Sequence, residues 1–228
     1  MKKSFKVVLS EQDLAGLLST YMFGGKDKDA IGNILKNISK KSNTLKSKNE
    51  NTAGNFVQLD LNNPSDFRAY QQIADKFISS RSSNLLGITG SMLANSAKNA
   101  QNNFDVYVPV ELALAQLTME GGFSENPQAR PIRTKNPFNV GNVDSGKNVS
   151  HSSVMSGIQS YYDLISKKYL GNGKTASDLI KNFVNKSGSR YATDRNYENS
   201  VSKIASQVQS LAQPIYASIS KKTPENLV

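Results

Sequence analysis

Between Pro109 and the pair Gly121-Gly122 runs Val110-Glu111-Leu112-Ala113-Leu114-Ala115-Gln116-Leu117-Thr118-Met119-Glu120, a strongly apolar stretch of helical length. Proline suits a first helical turn, where its missing N–H has no intrahelical partner to lose, and glycine ends helices because it enters left-handed conformations without strain. So apolar a helix must be covered by other elements, and Glu120 then falls at the C-terminal end of a buried helix.

Amphipathic segments that could supply the cover surround it. After Asn63-Pro64-Ser65-Asp66, residues 65–78 place Phe67, Tyr70, Ile73, Ala74 and Phe77 on one side. Thr89 or Ser91 starts another helix, with Met92, Leu93, Ser96 and Ala97 inward. Helical spacing returns at Val154, Ile158, Tyr161, Tyr162, Ile165 and Tyr169, and Gly171-Asn172-Gly173 closes that segment. The three tyrosines in it read as core and rim packing. Residues 176–184 and 196–217 form the last two helices, the second capped by Thr193 or Asp194. From Phe123 to about Ser153 the composition turns to Asn, Gly, Pro and Ser, which predicts a lobe of loops with a small β hairpin around 140–149. The expected class is mainly α, with an α+β character from that lobe.

Residues 1–50 read as an appendage. Ser10-Glu11-Gln12-Asp13 resembles a capping box before Leu14, Leu17, Leu18 and Tyr21, and a second helix follows over about 27–38. Residues 39–51 are polar, basic and nearly free of apolar side chains, the composition of a linker. The domains are therefore 1–50, a basic helical segment and linker, and 51–228. A chain of 228 residues has room for one such core and its appendage. No apolar run approaches the roughly 20 residues of a bilayer span. The opening has an apolar stretch of three residues, Val7-Val8-Leu9, against about 7–15 in a secretory signal, so no signal peptide is expected.

The chain has no Cys and one His, His151. Thiol nucleophiles are excluded, and a catalytic zinc site, which usually draws three ligands mostly from His and Cys, is not expected. His151 lies among serines, but no Gly-x-Ser-x-Gly elbow supports a Ser-His pair, and a Ser-rich stretch reads first as surface loop. Hydrolytic chemistry would rest on carboxylates, with no metal or cofactor. Lys and Arg total 28 against 18 Asp and Glu, a formal charge of +10, which favours an anionic partner. Nucleic acid would need a recognised motif or aromatics interleaved with a basic stripe, and neither is present.

A carboxyl at the end of a buried helix has its charged form disfavoured by desolvation and by the negative end of the helix dipole. A raised pKa is what a general acid needs in order to reach a glycosidic oxygen still protonated. The competing reading is a solvent-facing Glu at a frayed helix end. Two glycines permit close approach, and Phe123 and the amide-rich lobe supply the aromatic faces and amides that hold a sugar.

Three segments carry a resemblance: Leu114-Ala115-Gln116-Leu117-Thr118-Met119-Glu120-Gly121-Gly122-Phe123, Asn136-Pro137-Phe138-Asn139-Val140-Gly141, and Tyr191-Ala192-Thr193-Asp194-Arg195-Asn196-Tyr197. Together they resemble the peptidoglycan glucosaminidase family of lysozyme-like fold, which includes flagellar muramidase-like domains, autolysins and phage lysins. The likeness covers about 85–212. It implies Glu120 as catalytic acid, Tyr191 as the tyrosine that supports catalysis, and Asn136 and Phe138 as cleft lining. Gln116, Gly122, Phe123, Asn139 and Tyr197 are the further substrate-binding positions. Gly121 stands for the pattern's Ser, Phe123 for its Trp, Asn139 for its Gly, Asn142 for its Lys and Arg195 for its Pro.

No Glu occurs between Glu125 and Glu198, so Asp144 is the candidate second carboxylate, although Asp144-Ser145-Gly146 is also ordinary turn chemistry. Without a protein base, the substrate's 2-acetamido group can attack the anomeric carbon, assisted by Tyr191. The resemblance implies an enzyme cleaving β-1,4 bonds of the GlcNAc-MurNAc strand of bacterial peptidoglycan, an endo-β-N-acetylglucosaminidase foremost, with muramidase or lytic transglycosylase as alternatives. A noncatalytic virion or glycan-binding protein is the rival from another class. The expected place of action is the periplasm or wall, reached as a phage component or by non-classical export, with residues 1–50 engaging virion or envelope proteins.

Overall fold

The computed structural model describes residues 56–142, 146, 148–171 and 174–220. The chain divides between Thr52 and Ala53, and the described residues belong to the second unit. The helices expected before residue 39, and Asp144, lie outside the described residues.

The architecture is mainly helical. Helix α1, Pro64–Ile78, starts where the Asn63 side chain accepts from the Ser65 N–H, and buries Tyr70, Ile73, Ala74 and Phe77. Helix α2, Gly90–Phe104, is capped by the Thr89 hydroxyl and ends on Asp105 in the left-handed region. Helix α3, Val110–Met119, is the apolar stretch, and every side chain from Val110 to Leu117 is buried. It packs most extensively on the last helix, α7 (Tyr197–Ser220), and also touches α1. Between them come α4 (Arg130–Arg133), α5 (Val154–Leu164) and α6 (Ala176–Lys181), the latter two opened by Ser153/Ser156 and Thr175/Asp178 capping boxes. Helix α2 packs on both α1 and α5, and α6 packs on α7.

Two polar side chains on α3, Glu111 and Gln116, are fully buried and must find partners inside. Glu111 Oε1 accepts from the Tyr216 hydroxyl of α7 at 2.8 Å. Gln116 is bonded to tyrosines from α5 and α7. The end of α3 is a Schellman turn: the Gly122 N–H donates to the Leu117 carbonyl, the Gly121 N–H donates to that of Thr118, and Gly121 has φ +81°. Glu120 is therefore the C-cap residue, in a fixed turn.

The expected β hairpin is not formed by the described residues of 140–149. One buried side chain organises the segment instead of a ladder. Asn136 donates from Nδ2 to the carbonyls of Val140 and Val149, and its Oδ1 accepts from the Val140 N–H. The Val149 N–H, which a hairpin would direct to an opposing strand, donates to Asn142 Oδ1 at 2.7 Å. Residues 165–169, expected to continue α5 regularly, form a π turn, Ile165–Tyr169, closed by the Leu170 N–H on the Ile165 carbonyl.

Candidate active site

An open groove of about 480 Å³ lies over the end of α3, lined by Glu120, Arg130, Asn139, Asn142, Tyr169 and Tyr191 among others. Its parts come from four places in the sequence. The Schellman turn supplies Glu120, the lobe supplies the two amides, the π turn carries Tyr169, and the loop before α7 carries Tyr191. That loop is clamped to α7: Glu198 accepts from the Phe183 N–H at 3.1 Å and from Arg190 at 2.8 Å, and the Tyr191 N–H donates to the Phe183 carbonyl.

Burial of the Glu120 carboxyl raises its pKa above the ordinary carboxylate range. The Tyr197 hydroxyl, the Asn139 amide and the Arg130 charge pull it back, but burial wins. The hydrogen bonds behind Glu120 have one direction. The Tyr161 hydroxyl donates to Gln116 Oε1 at 2.6 Å, Gln116 Nε2 donates to the Tyr197 oxygen at 3.1 Å, and the Tyr197 hydroxyl donates to Glu120 Oε1 at 2.9 Å. A phenol has one proton, and that of Tyr197 is committed to Oε1. The proton of neutral Glu120 consequently belongs on Oε2. On the other side, Asn142 Nδ2 donates to Asn139 Oδ1, and Asn139 Nδ2 donates to the Glu120 backbone carbonyl at 2.7 Å.

Tyr191 stacks near-parallel on Tyr197, with ring centroids 5.5 Å apart, and meets Tyr169 edge-on at 5.4 Å. Burial and the nearby Glu120 charge raise its pKa, so the phenol stays protonated. Among the described residues its hydroxyl has no hydrogen-bond partner. The site can thus present a proton on a carboxyl, a phenol O–H, amides and aromatic faces to one ligand.

The structure brings Glu120, Asn139 and Tyr191 of the sequence-expected site into the groove. It places six others away from the groove lining. Phe138, expected in the cleft lining, is fully buried and stacks on Tyr161 at 3.8 Å, because an apolar ring beside α5 gains more from the core than from water. Asn136 is fully buried because its amide ties the lobe together. Gln116 and Tyr197 lie behind Glu120 and reach a ligand only through it. Gly122 is buried where a Cβ would overlap Leu117 Cδ1. Phe123 packs on Phe77 and faces a separate recess with Ser80, Arg81 and Thr118.

Tyr169 belongs to the groove although its spacing reads as packing, and no sequence signal marks the π turn that moves it there. Asn142 and Arg130 are also groove residues; their amide-rich and basic surroundings were the available signal. Among the described residues no group of His, Cys, Asp or Glu is arranged to hold a metal ion, and no helix is long and apolar enough to cross a membrane. Comparison with protein-family models, curated proteins and solved structures finds no match.

Proposed function

We propose that the protein is a peptidoglycan hydrolase of lysozyme-like fold that cleaves β-1,4 bonds of the GlcNAc-MurNAc strand, with Glu120 as general acid. The observation that carries this reading is a carboxyl of raised pKa, wired from behind through Oε1, at the floor of an open groove walled by tyrosines and amides. Oε2 delivers the proton to the glycosidic oxygen as the bond to the anomeric carbon breaks. Glu120 is the one carboxylate among the described groove-lining residues, and the Tyr191 phenol shares its space. That pairing suits attack by the substrate's own 2-acetamido group, with the tyrosine steadying the charged intermediate. Both sugars of the strand carry that group, so it is the resemblance of the three segments that puts an endo-β-N-acetylglucosaminidase first.

Asn139 adds support from the backbone. It stands where the resembled pattern has Gly, and its φ of +50° lies in the region that Gly and Asn tolerate best. The formal charge of +10 suits a polyanionic wall as the place of action, whether the protein arrives there in a phage particle or by export.

Purified wall incubated with the wild type and with Glu120→Gln tests the proposal. The wild type releases fragments ending in reducing GlcNAc, and the variant is slower by roughly 10²–10⁴-fold, the usual contribution of a positioned acid. Reducing MurNAc ends would reassign the bond cleaved, and 1,6-anhydro ends would indicate transglycosylation. Equal release by both proteins, or none by either, overturns the reading.

A further inference from the structure

Arg130 is placed where it works against the acid beside it. It lines the groove with Glu120, and its charge favours the ionised carboxylate, the form that cannot donate a proton. Its backbone is held firmly, since its carbonyl accepts from both the N–H and the hydroxyl of Thr134, at 3.1 and 2.6 Å. Its guanidinium has no hydrogen bond or ion pair among the described residues. Its neighbours are different: Arg133 Nε donates to the Gln128 carbonyl, and Lys135 Nζ to that of Ser152. No other acidic side chain among the described residues lines the groove to neutralise Arg130. With Glu120 protonated, the groove presents one uncompensated positive charge next to the reacting bond.

We propose that Arg130 is the anion-recognition residue of this groove and pairs with a carboxylate carried by the glycan strand. The inference rests on the hydrolase reading and names its substrate class as a carboxylated glycan in preference to a neutral one. A guanidinium presents a planar fork of N–H donors that matches a carboxylate in two-point contact. Two groups on the strand have that chemistry, the lactyl carboxylate of an unsubstituted muramyl residue and a free carboxylate of a stem peptide. Pairing also has a consequence for the acid. A bound carboxylate cancels the one cation that favours ionisation of Glu120, so the correct ligand helps to keep the proton in place until transfer.

The test measures binding to full-length Glu120→Gln protein, and hydrolysis by the wild type, with four glycans of equal length. These are neutral chito-oligosaccharide, peptide-free GlcNAc-MurNAc oligomer, the same oligomer with free stem carboxylates, and that oligomer with the stem carboxylates amidated. Each measurement is repeated with Arg130→Gln and Arg130→Lys added. The expected result is roughly 10- to 100-fold tighter binding of a carboxylated glycan than of the neutral one, the range of a charge-assisted hydrogen bond. Arg130→Gln brings the carboxylated glycan down to the neutral level, and Arg130→Lys restores part of the difference. Preference for the peptide-free oligomer assigns the lactyl group; preference lost on amidation assigns the stem.

Equal binding of all four glycans, or a preference that survives Arg130→Gln, overturns the inference. Hydrolysis without any such preference leaves the hydrolase reading standing and removes this one. Arg130-dependent preference with no hydrolysis by the wild type does the reverse. No binding of any glycan overturns both.

Discussion

Replacing Gln116 with leucine should expose how much of the fold depends on the polar chain behind the groove. In the wild type the buried amide accepts from the Tyr161 hydroxyl and donates to the Tyr197 oxygen. Leucine is one bond shorter and has no polar atoms, so the change removes two hydrogen bonds worth about 1 kcal/mol each. It also leaves the Tyr161 hydroxyl, on a fully buried residue, without its acceptor, at a further cost of about 1–3 kcal/mol. Tyr197 loses less, because its own proton remains on Glu120. Allowing for the apolar atoms gained, the net loss is about 2–4 kcal/mol, or roughly 5–15 °C in Tm for a unit of this size. Thermal and urea unfolding of Gln116→Leu, Tyr161→Phe and the double variant form the cycle that isolates the effect. Since Tyr161→Phe removes the orphaned hydroxyl, the double variant should be more stable than Gln116→Leu alone. Strict additivity of the two single changes would refute the buried chain as described.

Three further outcomes follow from other parts of the molecule. The Tyr197 hydrogen bond favours ionised Glu120, so Tyr197→Phe should move the alkaline limb of kcat/KM to higher pH; a shift to lower pH contradicts the wiring. Burial raises the pKa of Glu111, so its contribution to stability is full below the ordinary carboxylate value and lost as pH rises through the folded-state value. Glu111→Gln should therefore gain stability relative to wild type across that window in urea titrations run from pH 4 to 8, and a flat or falling difference counts against it. A Cβ at Gly157 of α5 would overlap the Lys135 carbonyl oxygen and come within 3.0 Å of Pro137 Cδ. Gly157→Ala should cost about 1–3 kcal/mol, visible as a drop of several degrees in Tm; a change below about 1 °C would mean that the lobe is not seated directly on α5.

The helical frame was legible wherever a local rule acted alone. Pro109 and Gly121-Gly122 bracket α3, Asn63 and Pro64 open α1, and Thr89 caps α2, all by short-range chemistry. The position of Glu120 was legible for the same reason, since the end of an apolar helix is also the end of a buried one. Which side chains face the groove was less so. Asn136 and Phe138 are two residues apart in one motif and both turn inward, whereas Asn139 turns to the groove on a left-handed backbone that no periodicity announces. Tyr169 reaches the groove through a π turn, a departure from helical spacing that helical spacing cannot foretell. The described residues of 140–149 form no hairpin, because alternation and turn residues say nothing of a distant amide able to take over the work of a strand partner.

Asn136 has a consequence for how such a groove can diversify. Strands in a sheet share a register, and one added residue inverts every side chain beyond it. Here Val140 and Val149 are tied to Asn136 while Asn142 holds the Val149 N–H, so the described residues of this wall are fixed by side-chain amides in place of a ladder. Amide anchors impose no alternation of side chains, so one frame can present differently cut walls while Glu120, fixed by the turn that ends α3, stays in place.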